Sequence, residues 1–249
     1  MTRQVAIITG AGSGIGRAIT QRLATDGWLV HAVDRNLDAA RATSALCPEG
    51  AVVPLELDVA DLDAYAAAFA HIPVVHALLA NAGICRQATL ADDFADEVWR
   101  TTMRINVDAV WQLFRTFHDR LADGGRAVIT SSGLGKLGRP GYGAYVASKH
   151  AVLGLTKCFS RELAPRAITV NAICPGWVDT PMARGDLVKN AVTFGTTPGI
   201  EYEKACEAIA LHRFVQPEEI AALVAFLLSP GAGAITGEAY NISCGEFFA

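Results

Sequence analysis

Residues 5–17 of the chain read VAIITGAGSGIGR, and this stretch decides the fold class. Its first four residues are apolar and mostly β-branched, which is typical of a buried parallel strand. Glycines follow at positions 10, 12, 14 and 16, and a helical pattern begins at Ile15. Such glycines let the backbone approach a pyrophosphate, whose negative charge suits the N-terminus of the following helix. The stretch therefore predicts a strand–turn–helix unit whose turn can hold a dinucleotide.

The spacing of these glycines differs from the two common phosphate-binding patterns. Ile15 stands where a G-x-G-x-x-G pattern starting at Gly10 needs its third glycine, and no Gly-Lys-Ser/Thr follows to complete a P-loop. The pattern that remains is G-x-x-x-G-x-G, formed by Gly10, Gly14 and Gly16. Because any tight turn between a strand and a helix can use glycine, a turn without a ligand remains an alternative at this point.

Short apolar runs alternate with helical patterns along the rest of the chain. The predicted strands cover residues 5–8, 28–33, 52–57, 74–80, 127–131, 168–172 and 239–242. The predicted helices cover residues 15–25, 37–45, 62–70, 94–121, 145–163 and 217–228. This alternation predicts an α/β protein with a Rossmann-like, doubly wound parallel sheet in three α/β/α layers, as a single domain over residues 1–249. Residues 179–213 break the alternation, and we expect a lid insertion there.

The composition excludes several classes of protein. The chain has 249 residues, of which 51% are hydrophobic and 18% charged, and this excludes a disordered chain. Its 21 basic and 25 acidic residues form no basic block, so neither nucleic acid nor a membrane is an expected partner. Six cysteines and six histidines are scattered without metal-ligand spacing, so no metal is expected. The lack of a signal-peptide pattern predicts a cytoplasmic protein.

A carboxylate at the end of the second predicted strand bears on the choice of dinucleotide. Asp34 lies eighteen positions after Gly16, close to the ~20 expected for an acid that binds the adenosine ribose. A carboxylate there accepts hydrogen bonds from a 2′-hydroxyl and repels a 2′-phosphate, so the sequence favours NAD over NADP as cofactor. Arg35 follows at once and keeps NADP as an alternative. The structural alternative for Asp34 is a helix-capping or turn residue.

A tyrosine, a lysine and a serine suggest how a proton is handled. Tyr145 and Lys149 are four residues apart at the start of a helical pattern, which places them on one face of the helix. An ammonium near a phenol lowers the phenol pKa from its usual ~10. Ser132 follows a predicted strand, at the edge where open α/β sheets collect ligands. Singly, each residue has an ordinary packing or surface role, but together with the glycine loop they indicate acid–base chemistry.

In these motifs the chain resembles the short-chain dehydrogenase/reductase family over essentially its whole length. Residues 9–16, which include Ser13 and Ile15, resemble the T-G-x-x-x-G-I-G cofactor loop of that family. Ala80 departs from the family pattern, which usually has an asparagine before the N-A-G motif. The other positions that match the family are Asp58 and Val59 at the adenine edge, Asn81, Ala82 and Gly83 in the N-A-G motif, Asn106, and Pro175, Gly176, Val178 and Thr180 near the nicotinamide.

The resemblance implies an enzyme and a division of labour. Tyr145 is expected to exchange a proton with the substrate oxygen, to which Ser132 donates a hydrogen bond. Lys149 is expected to hold the nicotinamide ribose and to lower the pKa of Tyr145, and Asn106 to support a water. The dinucleotide is expected to supply the hydride, while the protein orients the cofactor and the substrate and polarises the substrate carbonyl. Our main hypothesis is an NAD-dependent oxidoreductase that interconverts a secondary alcohol and a ketone.

Two alternatives remain at this stage. Residues 145–150 and 213–217 are similar to 3-oxoacyl-ACP reductases and polyketide ketoreductases, which act on acyl thioesters and normally use NADPH. The second alternative is a non-catalytic dinucleotide-binding or scaffold protein.

The sequence also leads to expectations about the substrate pocket and about the oligomeric state. Contacts to a small alcohol or ketone are expected from residues 85–87, 133–142 and 181–213, with Ser132, Leu134, Tyr142, Tyr145 and Trp177 as the predicted substrate residues. Leu134, Leu137, Tyr142 and Trp177 would make this pocket moderately apolar. Lys136, Arg139 and Arg184 are either partners of an anionic group or solvated loop charges. The family usually forms tetramers through two long helices, here near 94–121 and 145–163, so we expect a homotetramer. We also expect the apolar segment Phe247, Phe248 and Ala249 to bury against a neighbouring subunit.

Overall fold

The computed structural model describes residues 3–248, and within that range seven strands form one parallel sheet. Their order across the sheet is β3-β2-β1-β4-β5-β6-β7. The strands are β1 (Val5–Thr9), β2 (Leu29–Asp34), β3 (Val52–Glu56), β4 (Val75–Ala80), β5 (Leu121–Thr130), β6 (Thr169–Pro175) and β7 (Ala239–Ile242). The chain reverses its direction of winding between β1 and β4, which makes the crevice at their carboxyl ends the expected ligand site. The predicted doubly wound parallel sheet is confirmed.

Helices cover both faces of the sheet. They are α1 (Gly14–Thr25), α2 (Leu37–Ser44), α3 (Tyr65–Ala68), α4 (Ala95–Met103), α5 (Ala109–Phe117), α6 (Gly143–Glu162), α7 (Pro181–Phe194), α8 (Pro198–Glu207) and α9 (Pro217–Leu228). Within the described residues, no helix is both long and apolar enough to span a membrane.

The alternation of side chains along β1 creates two separate cores. Ile7 joins a cluster that contains Phe117 of α5 and Phe159 of α6, whereas Ile8 joins a cluster on the opposite face with residues of α1 and α9. Both isoleucines are fully buried. Burial of such a side chain stabilises the fold by about 1.5–3 kcal/mol, and this holds the strand that leads into the glycine loop in place from both sides.

The predicted helix at 94–121 is interrupted and ends early. A π-helical segment, Arg104–Asp108, separates α4 from α5, and α5 ends at Phe117. Residues 121–126, part of which was predicted as helix, belong to β5, whose register with β4 shifts between Val75 and Ala77. The π-helical segment contains Asn106, and wide turns of this kind occur often at functional sites. The predicted helix at 62–70 is likewise reduced to the single turn of α3.

The segment at 179–213 is more regular than its composition predicted. Its two helices, α7 and α8, both begin at a Thr-Pro pair: Thr180 and Thr197 accept hydrogen bonds from backbone N–H groups in the first turn, and a proline follows each. Threonine N-caps and first-turn prolines are standard helix starts. Gly195, with φ of +64°, ends α7 in the left-handed region. The insertion therefore adds two packed helices at the carboxyl edge of the sheet.

Candidate active site

A cavity of about 550 Å³ opens at the carboxyl ends of the strands. It brings together the glycine loop, the end of β2, the N-A-G motif, the start of α6 and the residues after β6. Two predicted site residues, Gly16 and Asn106, lie behind the wall rather than in it. The predicted site residues that line the cavity are Gly10, Ser13, Gly14, Ile15, Asp34, Arg35, Asp58, Val59, Asn81, Ala82, Gly83, Ser132, Leu134, Tyr142, Tyr145, Lys149, Pro175, Gly176, Trp177, Val178 and Thr180.

The glycine loop packs so closely that side chains have no room. A Cβ on Gly16 would lie 2.1 Å from the Gly10 carbonyl oxygen, and one on Gly10 would lie 2.9 Å from the Ala82 Cα. Gly10 and Gly14 also have positive φ values, +68° and +49°. The side chain of Ser13 makes no capping hydrogen bond to α1, so the first turn of that helix keeps its free N–H groups on the cavity side. This cradle fits a pyrophosphate.

The carboxylate of Asp34 is held in a fixed orientation at the end of β2. It accepts a hydrogen bond from the Gly12 N–H at 2.9 Å on one oxygen and from the Asn36 N–H at 3.0 Å on the other. A Cβ on Gly12 would lie 2.8 Å from the same carboxylate, so a side chain at that position would displace Asp34. Each carboxylate oxygen retains acceptor capacity for a ribose hydroxyl. Arg35 lines the same part of the cavity.

Asn81 ties the ends of three strands together. Its amide donates to the Thr9 carbonyl at 3.0 Å and accepts from the Thr130 hydroxyl at 3.2 Å. The Thr9 hydroxyl in turn accepts from the backbone N–H groups of Asn81 and Ala82, both at 3.1 Å. These bonds fix the floor of the cavity between β1, β4 and β5. No such role was predicted for the two threonines, because the bonds join positions about 50 and 70 residues apart.

Asn106 connects the loop after β4 to helix α6. Its amide nitrogen donates to the Ile84 carbonyl at 2.9 Å and to the Ser148 hydroxyl at 3.0 Å, and its amide oxygen accepts from the Ile84 N–H at 2.9 Å. Only 1% of the residue is exposed. With both amide hydrogens engaged by the protein, Asn106 positions the 83–85 loop beside Lys149. The amide oxygen is close to Gly83, where a Cβ would lie 3.2 Å from it and 3.4 Å from the Lys149 Nζ.

The three predicted catalytic side chains meet in the cavity. Ser132 hydrogen-bonds the Tyr145 hydroxyl, and Lys149 Nζ lies 5.6 Å from the centroid of the Tyr145 ring. Nζ donates to the Thr130 carbonyl at 2.8 Å. Ser132 also accepts from the Leu134 N–H at 3.1 Å, which fixes its rotamer. A tyrosine hydroxyl, a serine hydroxyl and an ammonium around one space can bind and protonate a carbonyl oxygen.

The direction of the Tyr145 pKa differs from the one predicted. Burial raises the pKa of Tyr145 above its usual value, and the hydrogen bond from Ser132 only partly opposes this. Burial also lowers the pKa of Lys149 to about 8. In the protein alone, the loss of solvation therefore outweighs any stabilisation of the phenolate by Lys149.

The substrate side contains both predicted and unforeseen residues. Tyr142 accepts a hydrogen bond from the Gln87 amide, and the Trp177 ring stacks on Phe214 with centroids 5.2 Å apart. Cys85, Arg139 and Asp186, from the segments predicted to contact substrate, also line the cavity, and so do Glu246 and Phe247, for which no site role was predicted. Glu246 and Phe247 lie far along the chain from these segments, so their spacing gave no signal.

The apolar end of the chain packs differently from the expectation. Phe247 is buried within its own chain. Its ring packs against Gly133, so closely that a Cβ on that glycine would overlap the ring. Phe248 is 87% exposed. The prediction that both bury against a neighbouring subunit is therefore wrong for Phe247, and Ala249 lies outside the described residues.

A family model described as enoyl-(acyl carrier protein) reductase matches residues 10–246. A putative ketoacyl reductase of the monensin polyketide synthase from Streptomyces virginiae is 38% identical, with 98% of this chain and 97% of the relative covered. The chain belongs to the short-chain dehydrogenase/reductase family. The predicted family and fold class are confirmed.

Two further members of the family widen the range of substrates. A cyclohexanol dehydrogenase from an Acinetobacter species is 34% identical over 96% of this chain and 93% of its own. A crystal structure of a substituted actinorhodin polyketide ketoreductase with NADPH superposes with a TM-score of 0.89 at 33% identity, covering 98% of each chain. As a short-chain dehydrogenase/reductase, the protein is an oxidoreductase acting on a ketone or an alcohol, in a family that binds NAD(P).

Proposed function

We propose that the protein is a ketoreductase that reduces the 3-oxo group of an acyl thioester or a related polyketide intermediate. The observation that carries the proposal is the meeting of Ser132, Tyr145 and Lys149 in the same cavity as the glycine cradle. Ketoacyl reductases among the relatives support this substrate class over the simple secondary alcohol of our main sequence hypothesis.

The proposed mechanism uses the chain's own groups in fixed places. Ser132 donates a hydrogen bond to the substrate carbonyl oxygen, and the Tyr145 hydroxyl transfers its proton to that oxygen as negative charge develops there. A raised Tyr145 pKa keeps this proton in place at neutral pH, which suits the reduction direction. Lys149 would hold the nicotinamide ribose. A dinucleotide held there would supply the hydride for the carbonyl carbon.

We propose NADH as the preferred reductant. The carboxylate of Asp34 is fixed by Gly12 and Asn36 where an adenosine ribose would lie, and a 2′-phosphate there would meet a like charge. NADP(H) remains the alternative, because Arg35 lines the same region and a solved relative was crystallised with NADPH.

A second candidate substrate is a simple cyclic or secondary alcohol. The cyclohexanol dehydrogenase relative and the apolar side chains of Leu134, Leu137 and Trp177 in the cavity favour it. A spectrophotometric assay with NADH decides between the two substrates. We expect the N-acetylcysteamine thioester of 3-oxobutanoate to be reduced with a kcat/KM at least tenfold above that of cyclohexanone. The reverse order would select the second candidate, and oxidation of NADH with neither compound would favour the non-catalytic alternative.

We also propose that the chain is a single domain that assembles as a homotetramer. Trp99 of α4 and Trp111 of α5 are about half exposed, as is Phe94 just before α4. These side chains give the long helical layer an apolar surface that a second subunit can cover. Light scattering at micromolar concentration should give a mass of about four chains, and a monomer would contradict this part of the proposal.

A further inference from the structure

The C-terminal tail, residues 244–247, forms part of the cavity wall. Cys244 and Gly245 both have positive φ values, +53° and +81°, and turn the chain back towards the carboxyl edge of the sheet. The Glu246 N–H then donates to the Ser243 carbonyl at 3.0 Å. A Cβ on Gly245 would lie 2.6 Å from the Ala210 Cβ, which restricts the turn to glycine. The turn brings Glu246 and Phe247 to the cavity.

Glu246 is fixed by the segment that follows β6. One carboxylate oxygen accepts a hydrogen bond from the Trp177 N–H at 2.9 Å. The same oxygen would lie only 2.3 Å from a Cβ on Gly176, so a side chain at that position would displace the Glu246 carboxylate. Phe247 packs against Gly133, the neighbour of Ser132. The tail therefore contacts both sides of the cavity in which the substrate carbonyl would sit.

The charge of the half-buried Glu246 is not neutralised by an ion pair, in contrast to that of Asp186, the buried acid of the cavity. Asp186 pairs with Lys189 at 2.9 Å. Among residues 3–248, no lysine, arginine or histidine forms an ion pair with Glu246, and Arg139 influences it only at longer range. Burial raises the pKa of Glu246, as expected for a carboxylate that lacks a close cation.

The other cations near the substrate side are already engaged. Lys136 Nζ donates to the Ala239 carbonyl at 2.9 Å and to the Asn241 side chain at 2.7 Å. Arg184 pairs with Asp179 at 2.9 Å. The guanidinium of Arg139 lies over the Tyr142 ring, 4.8 Å from its centroid. The wall formed by the tail thus presents an acceptor with negative charge to an incoming substrate.

We propose that Glu246 sets the charge selectivity of the substrate pocket. The pocket binds ketones in which the substituent facing Glu246 is uncharged and carries a hydrogen-bond donor such as an amide N–H. Ketones that carry a carboxylate at the same place are rejected. This inference rests on the proposed function and specifies its substrate class. An acyl thioester carried on an amide-containing arm meets the requirement, whereas a free 3-oxo acid does not.

The test compares two probes of nearly equal shape. Acetoacetate and acetoacetamide present the same ketone, and they differ only in a carboxylate or a carboxamide. We expect the wild-type kcat/KM for the amide to exceed that for the acid by at least thirtyfold. Glu246→Gln keeps an oxygen that accepts from the Trp177 N–H but removes the charge. It should raise kcat/KM for the acid at least tenfold and lower that for the amide about three- to tenfold, because the remaining NH2 group of glutamine cannot accept a hydrogen bond from the amide N–H.

Two variants serve as controls for charge. Glu238→Gln removes an exposed acid outside the cavity and should leave the amide-to-acid ratio within twofold of the wild-type value. Asp186→Asn removes the paired acid and should change the ratio less than threefold. An effect of Asp186→Asn as large as that of Glu246→Gln would overturn the proposal, because the general negative charge of the cavity would then decide selectivity.

The same two probes separate failure of this inference from failure of the proposed function. Their binding to wild type and to Glu246→Gln is measured by ligand-observed NMR, independently of turnover. Equal binding of acid and amide by wild type, or no binding of either, overturns the inference even if the thioester is reduced. If the thioester is not reduced but wild type binds the amide selectively and Glu246→Gln does not, the selectivity stands and the proposed thioester activity is wrong.

Discussion

The nucleotide side and the substrate side of the cavity are built in different ways, as the carboxylates of Asp34 and Glu246 illustrate. Asp34 is held by backbone N–H groups 22 and 2 residues away, inside one β1–α1–β2 unit. Glu246 is held by a backbone N–H 69 residues away, between the C-terminal tail and the loop after β6. The orientation of Asp34 therefore depends mainly on contacts within a short stretch of the chain. A site assembled from distant segments depends on every element between them.

This difference has a consequence for function. The cradle and Asp34, which would hold the pyrophosphate and the adenosine ribose, come from one unit, supported by Asn81 and Ala82 of the neighbouring segment. By contrast, α7, the 133–139 loop and the tail jointly shape the substrate pocket, so a change in any of them alters the pocket without affecting the nucleotide site. We therefore expect substitutions to separate nucleotide affinity from substrate selectivity.

Among changes to the nucleotide side, the largest expected effect is that of a substitution at Gly16. In Gly16→Ala the new methyl group would lie 2.1 Å from the Gly10 carbonyl, and the loop must shift. We expect the dissociation constant for NADH, measured by calorimetry, to rise at least a hundredfold, with the fold retained in circular dichroism. Gly154→Ala is the control, because nothing lies within 4 Å of its new methyl group. It should leave affinity unchanged, so comparable losses in both variants would contradict the account.

The second prediction concerns the free energy of unfolding in acid, which we expect to depend on His31 in β2. His31 on β2 is buried with its ring 5.8 Å from that of His71, and burial, aided by His71, lowers the pKa of His31 to about 4. The unfolded chain then binds the proton more readily, so stability falls as the pH drops from 6.5 to 4, by about 3 kcal/mol in total.

Urea unfolding at pH 7 and pH 4.5 checks this. The free energy of unfolding should fall less for His31→Leu than for wild type between these two pH values. The difference should be about 2 kcal/mol, most of the total expected from protonation of His31. The exposed His118→Gln should follow wild type. Identical losses in His31→Leu and wild type would show that His31 does not carry the effect.

The third prediction sharpens the role of Asp34. Asp34→Ser removes the like charge that a 2′-phosphate would meet, and the ratio of kcat/KM for NADH over NADPH should fall at least tenfold. Asp38→Asn alters a nearby acid that is 88% exposed at its side chain, and it should change the ratio less than twofold. A wild-type preference for NADPH would mean that Arg35, rather than Asp34, governs the choice.

The sequence was informative wherever the deciding contacts are local. The glycine cradle, Asp34 and the Tyr145–Lys149 pair all depend on positions within one turn or one strand–helix unit. The parallel sheet followed from apolar runs, because strands covered on both faces must be apolar along their length. Roles that depend on long-range contacts stayed hidden, such as that of Thr130, which meets Asn81, and that of Glu246, which meets Trp177.

Two errors in the sequence-based predictions have identifiable causes. The helical periodicity of 94–121 gave no sign of the π-helical segment, because an extra residue in one turn changes the spacing only locally. The expected lowering of the Tyr145 pKa considered Lys149 but not burial, which is a property of the assembled cavity. Both errors concern tertiary structure rather than local propensity.

Tyr145→Phe tests the central claim most directly, because it removes one hydroxyl and keeps the ring. The measurement is NADH oxidation with the 3-oxobutanoyl thioester, together with NADH affinity, for wild type, Tyr145→Phe and Tyr142→Phe. We predict that Tyr145→Phe lowers kcat by about 10²–10⁴-fold and leaves NADH affinity within twofold, because the lost proton donor acts in the transition state. Tyr142→Phe should lower kcat less than tenfold. Near-normal turnover by Tyr145→Phe would contradict the account.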